Sequence, residues 1–86
     1  MILVYPFLRK MQRLILTFST LHAVLAAEKA LRTAPQGFQC RVTPTPTGLG
    51  YSICGMSLEI LRLEEEPAVI DFLKQNRHSP EGIHHV

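Results

Sequence analysis

Arg13-Leu14-Ile15-Leu16-Thr17-Phe18-Ser19-Thr20-Leu21-His22-Ala23-Val24-Leu25 decides the fold, because the hydrophobic period changes inside it. Residues 13–18 form an unbroken apolar run of strand length, as expected for a central strand covered by helices or paired on both edges. Ser19 or Thr20 then caps a helix whose apolar positions Leu21, Val24, Leu25, Ala27 and Leu31 recur at three and four residues. His22, Glu28, Lys29 and Arg32 take the other face, and Pro35 and Gly37 end the helix.

Downstream, Phe38, Cys40 and Val42 alternate with Gln39, Arg41 and Thr43, the period-2 pattern of a half-buried strand with Cys40 turned to the core. Pro44 and Pro46 lack amide donors and are expected to stop that ladder, and Gly48 and Gly50 open a long loop. Strand alternation resumes at Met56, Leu58 and Ile60, with Leu61 and Leu63 changing face near its end. Glu64, Glu65 and Glu66 precede Pro67, a favourable first-turn composition for a helix carrying Val69, Ile70, Phe72 and Leu73. Lys74 and Asn76 close that helix, and residues 82–86 supply a short last strand.

The order βαββαβ predicts an α+β, ferredoxin-like sandwich: a four-stranded antiparallel sheet with two helices on one face. Residues 12–86 form the single domain, and residues 1–11 are read as an N-terminal extension. In this topology the first two strands run the same way and the third runs back. The start of the first helix, the 44–54 loop and the turn after the second helix therefore share one edge. Ser19, Thr20, His22, Cys54, Arg77 and His78 are expected as neighbours there, despite their distance in sequence.

Composition narrows the function classes. The chain has 86 residues, 47% hydrophobic and 19% charged, which fits one small core and neither disorder nor a second domain. A net charge of +2, with no basic run interleaved with aromatics, argues against nucleic acid. The apolar run 2–8 is far shorter than the ~20 residues of a membrane span and is interrupted by Pro6. Arg9, Lys10 and Arg13 ahead of an apolar stretch ending near Ala26-Ala27 resemble a signal peptide in outline, but Thr17, Ser19, Thr20 and His22 dilute it.

The two cysteines, Cys40 and Cys54, have neither zinc-site nor scaffold spacing, so a reducing cytoplasm is expected. His22, His78, His84 and His85 do not make a metal set, because His84 and His85 are adjacent on a strand and point to opposite faces. With Thr43 placed opposite Cys54 in the hairpin, Cys40 would lie about 10 Å from it along the ladder, too far for a disulfide. Glu64–Glu66 reads as a solvated helix start, and no Ser-His-Asp set, Walker loop or GxGxxG is present.

Phe18-Ser19-Thr20-Leu21-His22-Ala23, Ala27-Glu28-Lys29-Ala30-Leu31, Thr43-Pro44-Thr45-Pro46 and Ser52-Ile53-Cys54-Gly55 together resemble the putative selenium/sulfur carrier protein-like family over residues 12–86. The resemblance implies a cytoplasmic bacterial carrier in which Cys54 holds sulfur or selenium as a persulfide or perselenide. It implies a donor protein and an acceptor protein, and no cofactor beyond that covalent chalcogen. A carrier thiol must ionise, and an ordinary cysteine near pKa 8.5 is mostly protonated at neutral pH. Donors that would favour the thiolate are the amides at the first helix N-terminus, the amides of Gly50 and Gly55, and His22 or His78 as cations, with Arg77 a neighbour on the same edge. Gly55 beside Cys54 admits close approach of a partner, and Pro46 of the Thr-Pro-Thr-Pro stretch is counted with it among the candidate binding residues.

Cys54 also has a plain reading as a small buried hydrophobe at a strand start, and Cys40 reads as core packing. The alternative to a carrier is a non-catalytic binding or regulatory module, which would use a sheet edge or face for dimerisation or a small metabolite. A turnover enzyme is disfavoured by the lack of a base paired with the thiol.

Overall fold

The structure, a computed structural model, describes residues 12–49 and 55–86. The elements are β1 (Leu14–Thr17), α1 (Leu21–Thr33), β2 (Cys40–Pro44), β3 (Met56–Ile60), a 3-10 turn (Leu63–Glu65), α2 (Glu66–Gln75) and β4 (Gly82–His85). The sheet order is β2-β3-β1-β4, and every neighbouring pair is antiparallel. This is the ferredoxin-like α+β arrangement expected from the periodicity. The extension at residues 1–11 lies outside the described residues.

β1 sits inside the sheet, with Leu16 across from Leu58 on one side and Ile83 on the other. Its alternation splits the two faces. Leu14 and Leu16 join Val24, Ala27 and Leu31 of α1, Leu58 and Ile60 of β3, and Val69 and Leu73 of α2 in the core. Phe38 closes the far end of that core and meets Phe72 at 5.8 Å between ring centroids, tilted by 59°, a favourable aromatic geometry. Ile15 and Thr17 face the other side of the sheet, together with Thr43, Ser57 and Glu59.

Thr20 is the cap of α1: its extended backbone (φ −139°, ψ 157°) lets Oγ1 accept the Ala23 amide at 3.1 Å. Along α1 only Val24, Ala27 and Leu31 are fully buried, whereas Leu21 and Leu25 are each 47% exposed. The apolar stripe that α1 buries is therefore narrower than the sequence suggests, and Leu21, Leu25 and Arg32 lie along an exposed flank beside Glu28. Glu28 and Arg32 form an i,i+4 pair at 2.9 Å on that flank.

The β2–β3 hairpin differs from expectation in two ways. Pro44 does not end the ladder but pairs with Met56, and the Thr45 amide still donates to the Gly55 carbonyl at 2.8 Å. Backbone bonds to β3 alternate along an antiparallel pair; the Thr45–Gly55 bond sets the phase, so Thr43 and Thr45 face β3. Pro44 points its nitrogen away from the sheet, and on an edge strand its missing donor costs nothing. The second difference is register, since Thr43 lies opposite Ser57 rather than opposite Cys54. At the other end, β2 begins at Cys40 rather than Phe38. β3 ends at Ile60, leaving Leu61 exposed and Leu63 in the 3-10 turn rather than on a strand.

On the face opposite the helices, Glu59 is only 7% exposed and is held from both neighbouring strands. Arg13 donates to it at 3.0 and 3.2 Å and Arg41 at 3.1 Å. The Arg13 hydrogen bond holds the Glu59 carboxyl below its ordinary value, against the opposing effect of burial. A depressed carboxylate pKa stabilises the fold above the unfolded value, and that contribution disappears as pH falls through the folded value. Glu59→Gln is therefore expected to be less stable than the wild type at neutral pH, with the gap closing below about pH 4. Urea midpoints measured from pH 7 down to pH 3 would check this; a constant gap would contradict it.

Candidate functional site

Two parallel but non-adjacent strands, β1 and β2, end on the same side of the sheet, and β3 and β4 begin there. α1 starts from that end, and the turn after α2 returns to it, where Thr17 pairs with Gly82 and its carbonyl accepts the Glu81 amide at 2.8 Å. Across the sheet the order at this end is the Thr45–Gly55 corner, the start of α1, then the 77–81 turn. Ser19, Thr20, His22, Pro46, Gly55, Arg77 and His78 all lie along it, as the topology predicts. Cys54 and Gly50 lie outside the described residues, although Gly55, the covalent neighbour of Cys54, is exposed and paired with Thr45.

Sharing an end is not the same as touching. Among the described residues, the side chains of His22, Arg77 and His78 form no hydrogen bond or ion pair with one another or with the Thr45–Gly55 corner. Thr20 gives its hydroxyl to the helix cap. The first-turn amides of Leu21 and His22 precede any intrahelical acceptor, so the positive end of α1 keeps donors to offer.

Arg77 stands out for its backbone. It is the one non-glycine residue with positive φ (63°) among the described residues. The Arg77 amide donates to Lys74 and the His78 amide to Leu73, at 3.2 and 2.7 Å. These are the two bonds that close a helix through a left-handed residue, a place usually filled by glycine. Nothing in the residue type at position 77 announces that conformation.

Cys40 is the described thiol. It is half-buried, packs against the core beside Val42, and pairs across the ladder with Ile60. Burial pushes its pKa up to about 11, reinforced by Glu28 and opposed by Arg32. At neutral pH it is a neutral thiol and a poor nucleophile. Thr45, the partner of Gly55, is five positions along β2 from Cys40, about 17 Å by strand rise. Cys40 therefore sits farther from the Gly55 corner than the expected register implied.

The sheet face opposite the helices carries a polar cluster that reading by strand periodicity passed over. Thr45 and Ser57 hydroxyls bond each other, and Thr17 Oγ1 meets His84 Nε2 at 3.3 Å. Gly82 makes room for that contact, since a Cβ there would stand 2.6 Å from both atoms. The available signal was the alternation of Thr43, Thr45 and Ser57 with apolar residues, which marks the polar phase of two paired strands. His85 turns to the other face and bonds Glu66 at 2.8 Å. Among the described residues, no group of three or more His, Cys, Asp or Glu is arranged to hold a metal, and no helix is long and apolar enough to cross a membrane.

The class defined so far is a small α+β domain that presents an exposed, glycine-flanked corner beside a helix N-terminus. A family model described as Putative Se/S carrier protein-like matches residues 13–85, and the chain belongs to that family. No curated protein and no solved structure matches the chain.

Replacing Arg77 with the residue its backbone favours isolates the cost of the left-handed conformation. Arg77→Gly is expected to stabilise the domain by about 0.5–1 kcal/mol. Chemical denaturation would measure it, and an unchanged or lowered midpoint would show that the arginine side chain contributes more than the strain removes.

Proposed function

We propose that the protein carries sulfur or selenium on Cys54 and passes it from a donor protein to an acceptor protein. The observation that carries this reading is the family match over residues 13–85. It is supported by the state of the other cysteine, since a thiol raised to about 11 and half-buried leaves Cys54 as the group suited to nucleophilic attack. In the loading step the Cys54 thiolate attacks the outer sulfur of a donor persulfide. The donor's S–S bond breaks, its thiolate leaves, and Cys54 becomes the persulfide. Unloading is the same displacement with the acceptor thiolate attacking the Cys54 persulfide, so no net oxidant or reductant is consumed. A perselenide follows the same balance.

Three features of the chain favour this chemistry. The exposed Gly55 corner offers backbone without a Cβ to an approaching partner thiol. First-turn amides of α1 and the Arg77 guanidinium lie along the same end of the sheet, with His22 and His78 on that end too, and the amides and the guanidinium favour an anion over a neutral thiol. Short-lived protein contacts suit a domain that delivers cargo, so donor and acceptor bind in turn and no resident cofactor is needed. A reducing cytoplasm is the compartment in which such a thiol stays available between loadings. In this reading the protein is a carrier and not a turnover enzyme.

Loading is read directly by mass spectrometry of the intact protein after incubation with a cysteine desulfurase and cysteine. The wild type and Cys40→Ala are expected to gain the mass of one sulfur that dithiothreitol removes, and Cys54→Ser is expected to gain none. Loading that persists in Cys54→Ser, or is abolished only in Cys40→Ala, would overturn the proposal. Arg77→Gly adds a finer check: loading slowed severalfold in a protein of equal or greater stability would assign the arginine charge a part in holding the thiolate.

A further inference from the structure

The turn after α2 holds a residue at odds with its backbone. Arg77 takes a left-handed conformation (φ 63°), which a glycine adopts without strain. Closing the helix does not call on the arginine side chain. The amides of Asn76, Arg77 and His78 satisfy the Phe72, Lys74 and Leu73 carbonyls, and the Asn76 side chain adds a second bond to Phe72. Among the described residues the Arg77 guanidinium forms no hydrogen bond or ion pair, and it is exposed. No contact within the domain therefore offsets the strain. Strain of this kind collects where a side chain serves something outside its own fold.

Its surroundings share its sign. Lys74, three residues upstream, is also exposed and makes no ion pair, whereas Arg13, Arg32 and Arg41 are each held by a carboxylate. Glu81 is the one acid along the described part of this end of the sheet; the others lie along α1, on β3, or at the start and middle of α2. The turn leads into β4, which stands two strands from β3 and its Gly55 corner, about 10 Å by strand spacing. A protein that brings a sulfur to the residue beside Gly55 covers about 800 Å² of this surface, a patch about 30 Å across. Arg77 falls inside it.

We propose that Arg77, assisted by Lys74, seats the sulfur-donating protein, and that this donor presents an acidic surface next to its persulfide. The proposal rests on the carrier reading and deepens it: Cys54 is the group that reacts, and the basic turn decides which protein is held against it. A guanidinium takes a carboxylate through two parallel hydrogen bonds, which fixes orientation as well as attraction. Charges of opposite sign on the two surfaces also speed encounter, an effect that salt screens. A donor with a basic rim is repelled. Arg77 is in this respect a positioning residue, acting on the partner and not on the sulfur in transfer, and that role is separable from any field its charge exerts on the thiolate.

Loading of the full chain by a cysteine desulfurase and cysteine, followed against carrier concentration at low and high salt, tests it. At low salt Arg77→Gly is expected to raise KM about fivefold with kcat little changed, Lys74→Gln about twofold, and both to flatten the salt dependence of the wild type. Arg77→Lys, which keeps the charge and loses the fork, is expected to fall between Arg77→Gly and the wild type. Arg62→Gln removes an exposed, unpaired cation at the other end of the sheet and is expected to leave KM unchanged. Slowed loading alone does not separate docking from an effect on the thiolate. Alkylation of Cys54 by iodoacetamide in a Cys40→Ala background does, because this neutral reagent needs no docking. A loading defect in Arg77→Gly no larger than its alkylation defect, or a KM indifferent to both salt and Arg77, would overturn the proposal while leaving Cys54 as the carrier thiol. Absence of loading in the wild type would instead overturn the carrier reading, and this proposal with it.

Discussion

The burial of β1 between two partner strands is the constraint on which the molecule depends. Leu14, Ile15 and Leu16 are fully buried, with backbone bonds running to β3 on one side and β4 on the other. Leu14 and Leu16 meet both helices, so sliding the strand by one residue would put Ile15 and Thr17 into the core instead. Once that strand is set, the antiparallel order fixes which loops meet at which end. The start of α1, the Thr45–Gly55 corner and the approach to β4 are brought to one end by the sheet, which sets their order there.

This division explains what could and could not be read from residues alone. The switch from an apolar run at 14–18 to a three-and-four spacing from Val24 is a property of local sequence, and it specified the βαββαβ order. The phase of an edge strand is not local. Whether Pro44 interrupts a ladder depends on whether its nitrogen faces β3 or solvent, and that follows from the Thr45–Gly55 bond on the next residue. The three-position difference between the expected and observed partner of Thr43 has the same origin: the bonding phase lets the ladder pass through Pro44, which its missing donor alone does not reveal.

The site was legible to a different depth. Ser52-Ile53-Cys54-Gly55 and Thr43-Pro44-Thr45-Pro46 carried the family resemblance, and the shared sheet end carried the grouping of Thr20, His22, Arg77 and His78. Leu21 and Leu25 have the helical spacing of core residues, yet α1 buries only Val24, Ala27 and Leu31 and leaves both half exposed. The left-handed backbone of Arg77 had no signature, since left-handed helix closure is usually announced by glycine. The Thr45–Ser57 and Thr17–His84 contacts emerge only when the register is known, because each joins residues on different strands.

The two edges of the sheet also separate two demands that would otherwise compete. A small domain with so little buried surface gains from association, while the exposed Gly55 corner stays accessible only where no strand is added across it. Pro44 and Arg41 make β2, beside the Gly55 corner, a poor template for another strand; β4 lies at the opposite edge with its outward amides and carbonyls free among the described residues. Because β3 and β1 stand between them, a strand added at β4 neither crosses the Gly55 corner nor alters the bonding phase that holds Thr45 to Gly55.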